Sequence, residues 1–326
     1  MQEKIQLSVI IASYNSGTLL QNCLESLKNQ KTDQLFEIIV VDSSSDGAAQ
    51  RIGERFPEVK LYRFPERKFC GDARNFGLSV ARGEIIAFID ADCRAAPNWV
   101  GQILRAHQSS FLAIGGVIAN GNPDSNIGWA AYFCEFSQWM PNTSFRRLTD
   151  IAAANMSYKK RCFEELGEFI EGTYSSDTEF HWRLGRKGHS LQFVPSVVVF
   201  HHNIDQFKAY IRHEFEHGRS FATVRINSQH FSKFKRGIYI IFSFLIPPWL
   251  FFKIGLRNLI NRIYLFHFLK VLPLLILGLI FWSLGECAGY LGGSPKEWFV
   301  SALKIELVDH LRDQTPKGRR IQGTPR

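Results

Sequence analysis

Three short runs of unbroken apolar, mostly β-branched residues most constrain what this chain can become. LSVIIA at 7–12, FEIIVV at 36–41 and EIIAFI at 84–89 show no apolar–polar alternation, so each reads as a strand buried on both faces. Helical patterns separate them. After SYNSG, the residues Leu19, Leu20, Cys23, Leu24 and Leu27 fall on one face, and further helices are predicted over 48–56 and 71–81 around a strand at 59–64. Strands alternating with helices predict an α/β fold with a mostly parallel central sheet covered on both sides.

Past residue 110 the alternation loosens. A strand at 112–119 leads into an aromatic-rich stretch holding Trp129, Tyr132, Phe133, Phe136 and Trp139. Helices at 159–166 and 177–187 and a strand at 191–200 follow. The character changes again near 230. Residues 237–252 (GIYIIFSFLIPPWLFF) and 271–285 (VLPLLILGLIFWSLG) carry no charge and are flanked by Lys233, Lys235, Arg236, Lys253, Arg257, Arg262 and Lys270. Apolar runs rich in Trp and Phe between basic residues read as membrane contact. Each is shorter than the roughly 20 residues of a square crossing, and Pro247–Pro248 suits a bent segment. Spanning and non-spanning hairpins both remain open. The expected division is 1–230 for the α/β unit, 231–292 for a hydrophobic, membrane-associated helical hairpin and 293–326 for a basic tail.

The net charge of +9 is compatible with nucleic acid, an anionic membrane or phosphorylated substrates. No zinc-finger, RRM or homeodomain spacing is present and much of the charge borders the apolar runs, so membrane lipids rather than nucleic acid are the expected partner. Six scattered cysteines without a CxxC pair fit a reducing compartment. MQEKIQLSVII runs straight into a strand without a cleavable leader pattern, and the α/β unit is expected on the cytoplasmic side.

Chemistry concentrates at strand ends. Asp90-Ala91-Asp92 follows EIIAFI directly, and open parallel sheets bind ligands beyond the carboxyl ends of their strands. Two carboxylates one residue apart suit a hard divalent cation held together with diphosphate oxygens. Asp42 ends the neighbouring run, where a carboxylate could accept from the imide N–H of a uracil; the following Ser-Ser-Ser-Asp46-Gly47 also fits an Asx-type turn. Ser13, Tyr14 and Asn15 end the first strand and face the same crevice. Gly71-Asp72-Ala73-Arg74-Asn75 opens a helix, whose N-terminal N–H groups favour anions, and Arg74 could pair with phosphate or orient Asp90.

Together VIIASYN, VVDSSSDG, GDARNFGLSVARGEIIAFIDADC, NMSYKKRCFEELGEF and the strand ending VPSVVVFHH resemble the family 2 glycosyltransferases of the GT-A fold over roughly residues 6–220. The resemblance makes 1–230 a catalytic domain that transfers a sugar from a nucleoside-diphosphate donor, with UDP favoured. It implies that Asp42 holds the base, Asp90 lies near the ribose, and Asp92 binds Mg²⁺ or Mn²⁺ with His201 completing the metal site; His202 is a weaker substitute. Inverting members use an acidic pair whose second residue is the catalytic base. This chain reads Ser175-Ser176-Asp177-Thr178-Glu179, which assigns the base to Asp177 with Glu179 in reserve and departs from the pattern at Ser176. The Q-x-x-R-W motif of polymer-forming members is absent, so single-sugar transfer to a lipid-linked or glycan acceptor is expected. Rival readings are a catalytically degenerate, membrane-bound nucleotide-sugar-binding subunit and a sugar-nucleotide pyrophosphorylase, though the latter's G-x-G-T-R loop is replaced by SYNSG. Residues 210–225 read as an amphipathic, basic helix.

Overall fold

The computed structural model describes residues 4–45 and 48–292; Asp46–Gly47 of the expected turn and the basic tail lie outside the described residues. The N-terminal strands β1 (Leu7–Ser13), β2 (Phe36–Asp42), β3 (Lys60–Arg63) and β4 (Ile85–Ile89) alternate with α1 (Gly17–Lys28), α2 (Ala48–Arg55) and α3 (Cys70–Val80). They pair in parallel in the order β3-β2-β1-β4. The reason for the unbroken apolar runs is visible in the packing. Because successive side chains point to opposite faces, Val9, Ile11, Ile38, Val40, Ala87 and Ile89 enter the core beneath α1. Ile10, Ile39, Val41, Ile86 and Phe88 enter the second core, with Ala73 and Leu78 of α3.

Beyond β4 the sheet becomes mixed. The remaining elements are β5 (Cys93–Ala95), α4 (Trp99–Ala106), β6 (Ala113–Asn120), α5 (Asn126–Phe136), β7 (Arg146–Leu148), β8 (Asn155–Lys159), α6 (Arg161–Leu166), α7 (Ser176–Arg186) and β9 (Leu191–His201). The sheet continues β4-β8-β6-β9-β5, with β7 also on β9. Strand β8 runs antiparallel to both β4 and β6, whereas β9 is parallel to β6. The short strand β5 pairs antiparallel with the end of β9, Cys93 opposite His201. This pairing folds the segment after β4 back onto the end of a strand more than a hundred residues away in sequence.

The C-terminal third is helical: α8 (Phe207–Ser228), α9 (Lys233–Ile241), a 3-10 turn at Ser243–Leu245, α10 (Ile246–Asn261), α11 (Leu265–Lys270) and α12 (Leu272–Leu291). The bend expected near Pro247–Pro248 falls at that 3-10 turn, with proline in the first turn of α10 and the two arms at 46°. The 20-residue α12 is long and apolar enough to cross a bilayer. One of its faces, however, is seated on α8 at backbone distance. A Cβ on Gly285 would stand 1.9 Å from the Phe215 carbonyl oxygen, and one on Gly218 2.2 Å from that of Trp282. Small residues at these points allow the two helix backbones to touch, and α12 also packs on α5. The apolar helices and the α/β unit therefore form one packed body.

Candidate active site

The parallel strands deliver their last residues to one edge of the sheet. Ser13 ends β1 and Asp42 ends β2, paired in register, and Asp90 follows β4 at once. Ser13 is buried and its Oγ has no hydrogen-bond partner. Asn15 has φ +50°, a left-handed conformation that asparagine tolerates, and its backbone N–H donates to Ser44 Oγ at 2.7 Å. The Arg67 guanidinium lies 4.4 Å from the centroid of the Tyr14 ring. Asp42 is buried and accepts from Ser44 N–H at 3.2 Å and Ser44 Oγ at 2.7 Å. That is the local turn contact foreseen as its plainer role. An ionised carboxylate offers about four acceptor positions, so a nucleobase N–H can still be accommodated.

The Arg74 guanidinium donates to Asp90 Oδ1 at 2.9 Å. Arg74 is almost wholly buried at the head of α3, and the carboxylates of Asp90 and Asp177 both act on its charge.

Asp92 and His201 meet because of the β5–β9 ladder. With Cys93 opposite His201, the His202 N–H donates to the Asp92 carbonyl at 2.9 Å, and His201 Nε2 stands 3.4 Å from Asp92 Oδ1. Three asparagines fix the imidazole. Asn203 Nδ2 donates to Asn120 Oδ1 at 3.0 Å and to Asn122 Oδ1 at 3.2 Å. Its Oδ1 is thereby turned toward His201 Nδ1, 3.0 Å away. With Nδ1 facing Asn203 Oδ1, Nε2 is the nitrogen left toward Asp92, the second-sphere support usual for a metal-binding histidine. Asp92 Oδ1 is itself buried without a hydrogen-bond partner. Burial first, opposed by His201 and reinforced by Asp90, pushes the Asp92 carboxyl above its ordinary range. An imidazole nitrogen and a carboxylate oxygen 3.4 Å apart have the spacing of a direct ion pair and equally of two donors on one cation. Two donors at about 2.0–2.2 Å from one ion stand roughly 3–3.5 Å apart. These residues fit a divalent metal. The Cys93 Sγ lies in the same group, but burial chiefly, with Asp92 and Asp90 adding to it, holds the thiol well above its usual value. As a soft donor it does not suit a hard ion. His202 contributes its backbone here, so His201 is the histidine of the pair.

Asp177 sits in the first turn of α7. Burial, then the neighbouring Asp150 carboxylate, raise its pKa, while Arg74 and His181 work against them. Glu179, the reserve base, is buried and engaged by Arg183 Nε at 2.7 Å and Arg186 at 3.7 Å. The serine at 176 has a steric context. A Cβ on Gly71 would lie 3.0 Å from Ser176 Cβ and 2.5 Å from the Ile170 carbonyl oxygen, so α3 and α7 touch too closely there for a long side chain. Beside Asp177 runs a buried chain that sequence reading missed: Asp150 Oδ1 to His181 Nδ1 at 2.5 Å, and His181 Nε2 to Tyr158 Oη at 2.6 Å.

The comparisons with known proteins agree with this geometry. The chain is 27% identical over 205 residues to the glycosyltransferase AglE of Haloferax volcanii, covering 60% of this chain and 66% of AglE. It is 24% identical over 245 residues to the hyaluronan synthase of Pasteurella multocida, covering 61% of this chain and 25% of that enzyme. The matches thus span between a quarter and two thirds of these relatives' lengths. Among solved structures, a mannosyltransferase of Pyrobaculum calidifontis, PcManGT, in complex with GDP-Man and Mn²⁺, superposes with a TM-score of 0.53 at 19% identity, over 94% of this chain and 81% of that one. That likeness shows the GT-A-type fold. The sequence model of glycosyl transferase family 2 matches residues 8–187, more than half of the chain, and the protein belongs to that family of glycosyltransferases.

Proposed function

We propose that the protein transfers a single sugar, with inversion, from a nucleoside-diphosphate donor (UDP the first candidate) to a lipid-linked or glycan acceptor at a membrane surface. The observation that carries this reading is Asp92 Oδ1, buried without a hydrogen-bond partner and facing His201 Nε2 at 3.4 Å beside Asp90. Asp92 and His201 would hold Mg²⁺ or Mn²⁺, which when bound supplies positive charge against the donor diphosphate. Asp42 accepts from the base and Asp90, oriented by Arg74, accepts from the ribose. Calorimetry of UDP binding tests the site. Affinity should fall by at least about 100-fold in excess EDTA or in Asp92→Asn, and unchanged affinity in both would refute it.

Asp177 is assigned the general base, taking the acceptor hydroxyl proton as that oxygen attacks the anomeric carbon. Its raised pKa has a kinetic consequence. The base works only when ionised, so kcat should rise with pH along an acid limb lying above the ordinary aspartate range of about 3.9. Asp177→Asn should lower kcat by about 100-fold or more and remove that limb, leaving UDP affinity within about twofold. A product with retained anomeric configuration would contradict the assignment.

The C-terminal helices favour attachment in the plane of the membrane. Phe234, Trp249, Phe252, Ile260 and Phe266 are 60–80% exposed on α9 to α11, an apolar surface larger than soluble monomers usually show. Arg257 donates to Ser137 Oγ at 3.0 Å and Gln138 Oε1 at 2.9 Å, and Asn261 Nδ2 donates to the Pro141 carbonyl at 2.7 Å. These bonds hold the end of α10 against the α/β unit, which supports an interfacial hairpin; the catalytic domain is assigned to the cytoplasmic side from the cations that flank the apolar runs. Full-length protein should pellet with membranes and resist high-salt extraction, whereas a soluble monomer without detergent would contradict attachment.

A further inference from the structure

Helix α8 carries the segment His213-Glu214-Phe215-Glu216-His217. Histidines four apart lie on one helix face, one turn from each other, the spacing with which H-E-x-x-H helices bind zinc. Facing them is Glu135 of α5. One ligand atom each from Glu135, His213 and His217 falls within 4.8 Å of the other two. His213 Nε2 stands 3.2 Å from Glu135 Oε1, within ion-pair distance. Tetrahedral zinc ligands at about 2.0–2.1 Å from the ion stand about 3.3–3.4 Å apart, so this pair already has the spacing of two donors on one metal. His217 Nδ1 is buried without a hydrogen-bond partner. Buried polar atoms are seldom left so, and a bound ion is one ordinary explanation.

We infer that Glu135, His213 and His217 form a second metal centre, for a zinc-class transition ion, distinct from the Asp92–His201 site. The donor set decides the class. Two imidazoles and one carboxylate suit zinc, whereas Mg²⁺ and Mn²⁺ prefer oxygen. Glu214 lies outside the group of converging ligand atoms and is fully buried, so the centre is structural rather than hydrolytic. Its position gives it a task. The ion joins α8, on which α12 is seated through Gly218, to α5, whose Phe136 ring lies 4.5 Å from the His201 ring. It clamps the membrane-facing helices to the strand end that carries His201.

The inference does not depend on the proposed donor or acceptor, and its test needs no turnover. Full-length protein in detergent, stripped with chelator and dialysed, is titrated with Co²⁺ in the absence of nucleotide. Wild type should develop the visible d–d bands of four-coordinate Co²⁺, abolished by added Zn²⁺, and Asp92→Asn should keep them. His217→Gln should weaken Co²⁺ binding beyond the 10–100-fold cost of losing an outer-sphere partner, with folding checked by circular dichroism. Bands absent from wild type, lost in Asp92→Asn, or unchanged in His217→Gln would overturn the inference. Should His217→Gln fail to fold, the wild-type and Asp92→Asn titrations still decide it.

Discussion

The short antiparallel ladder between β5 and the end of β9 is the constraint on which the site depends. Pairing Cys93 with His201 brings Asp92 Oδ1 against an imidazole whose other nitrogen is already committed to Asn203. Two groups able to ligate one cation are thus held 3.4 Å apart. The parallel half of the sheet supplies the rest of the crevice by geometry, since strands that run together end together. Asp42, Ser13 and Asp90 are neighbours in space because β2, β1 and β4 are neighbours in the sheet.

The packing of α12 extends that logic to the membrane. A helix of its apolar character could serve as a free-standing anchor, yet its glycines bring it to backbone contact with α8. Polar bonds from Arg257 and Asn261 similarly tie α10 to the segment after α5. The helices that present Phe, Ile and Trp outward are therefore rigidly related to the donor crevice. In such an arrangement an acceptor embedded in lipid would be met at a fixed height and angle. This is an orientation effect of the kind that lowers barriers by restricting approach.

Much of this was legible in the sequence where the signal is local. Unbroken apolar runs gave the parallel strands, and acidic residues directly after them gave Asp42, Asp90 and Asp92. The proline pair pointed to the bend before α10. What the sequence concealed is non-local or too short to carry a pattern. Strand β5 has three residues and no periodicity, so nothing in DCRAA showed that it would lie on β9. The asparagines at 120, 122 and 203 lie on separate segments and become a hydrogen-bond network only when β6 and β9 pair. The Asp150–His181–Tyr158 chain joins three elements in the same way. By contrast, HEFEH on α8 had a readable four-residue spacing and was passed over as part of a basic amphipathic helix, because its third partner, Glu135, lies far away in sequence. The two arginines that pair with Glu179 lie on the same helix, at 183 and 186, yet only the folded helix shows both engaged with its carboxylate.

Crystals grown with UDP and Mn²⁺ test, through the manganese anomalous signal, whether Asp92 and His201 together hold the ion that receives the donor. An anomalous peak is expected within about 2.0–2.3 Å of an Asp92 carboxylate oxygen and of His201 Nε2, adjoining the diphosphate. Nucleotide bound in the crevice with no such peak, or with the ion on other side chains, would contradict it.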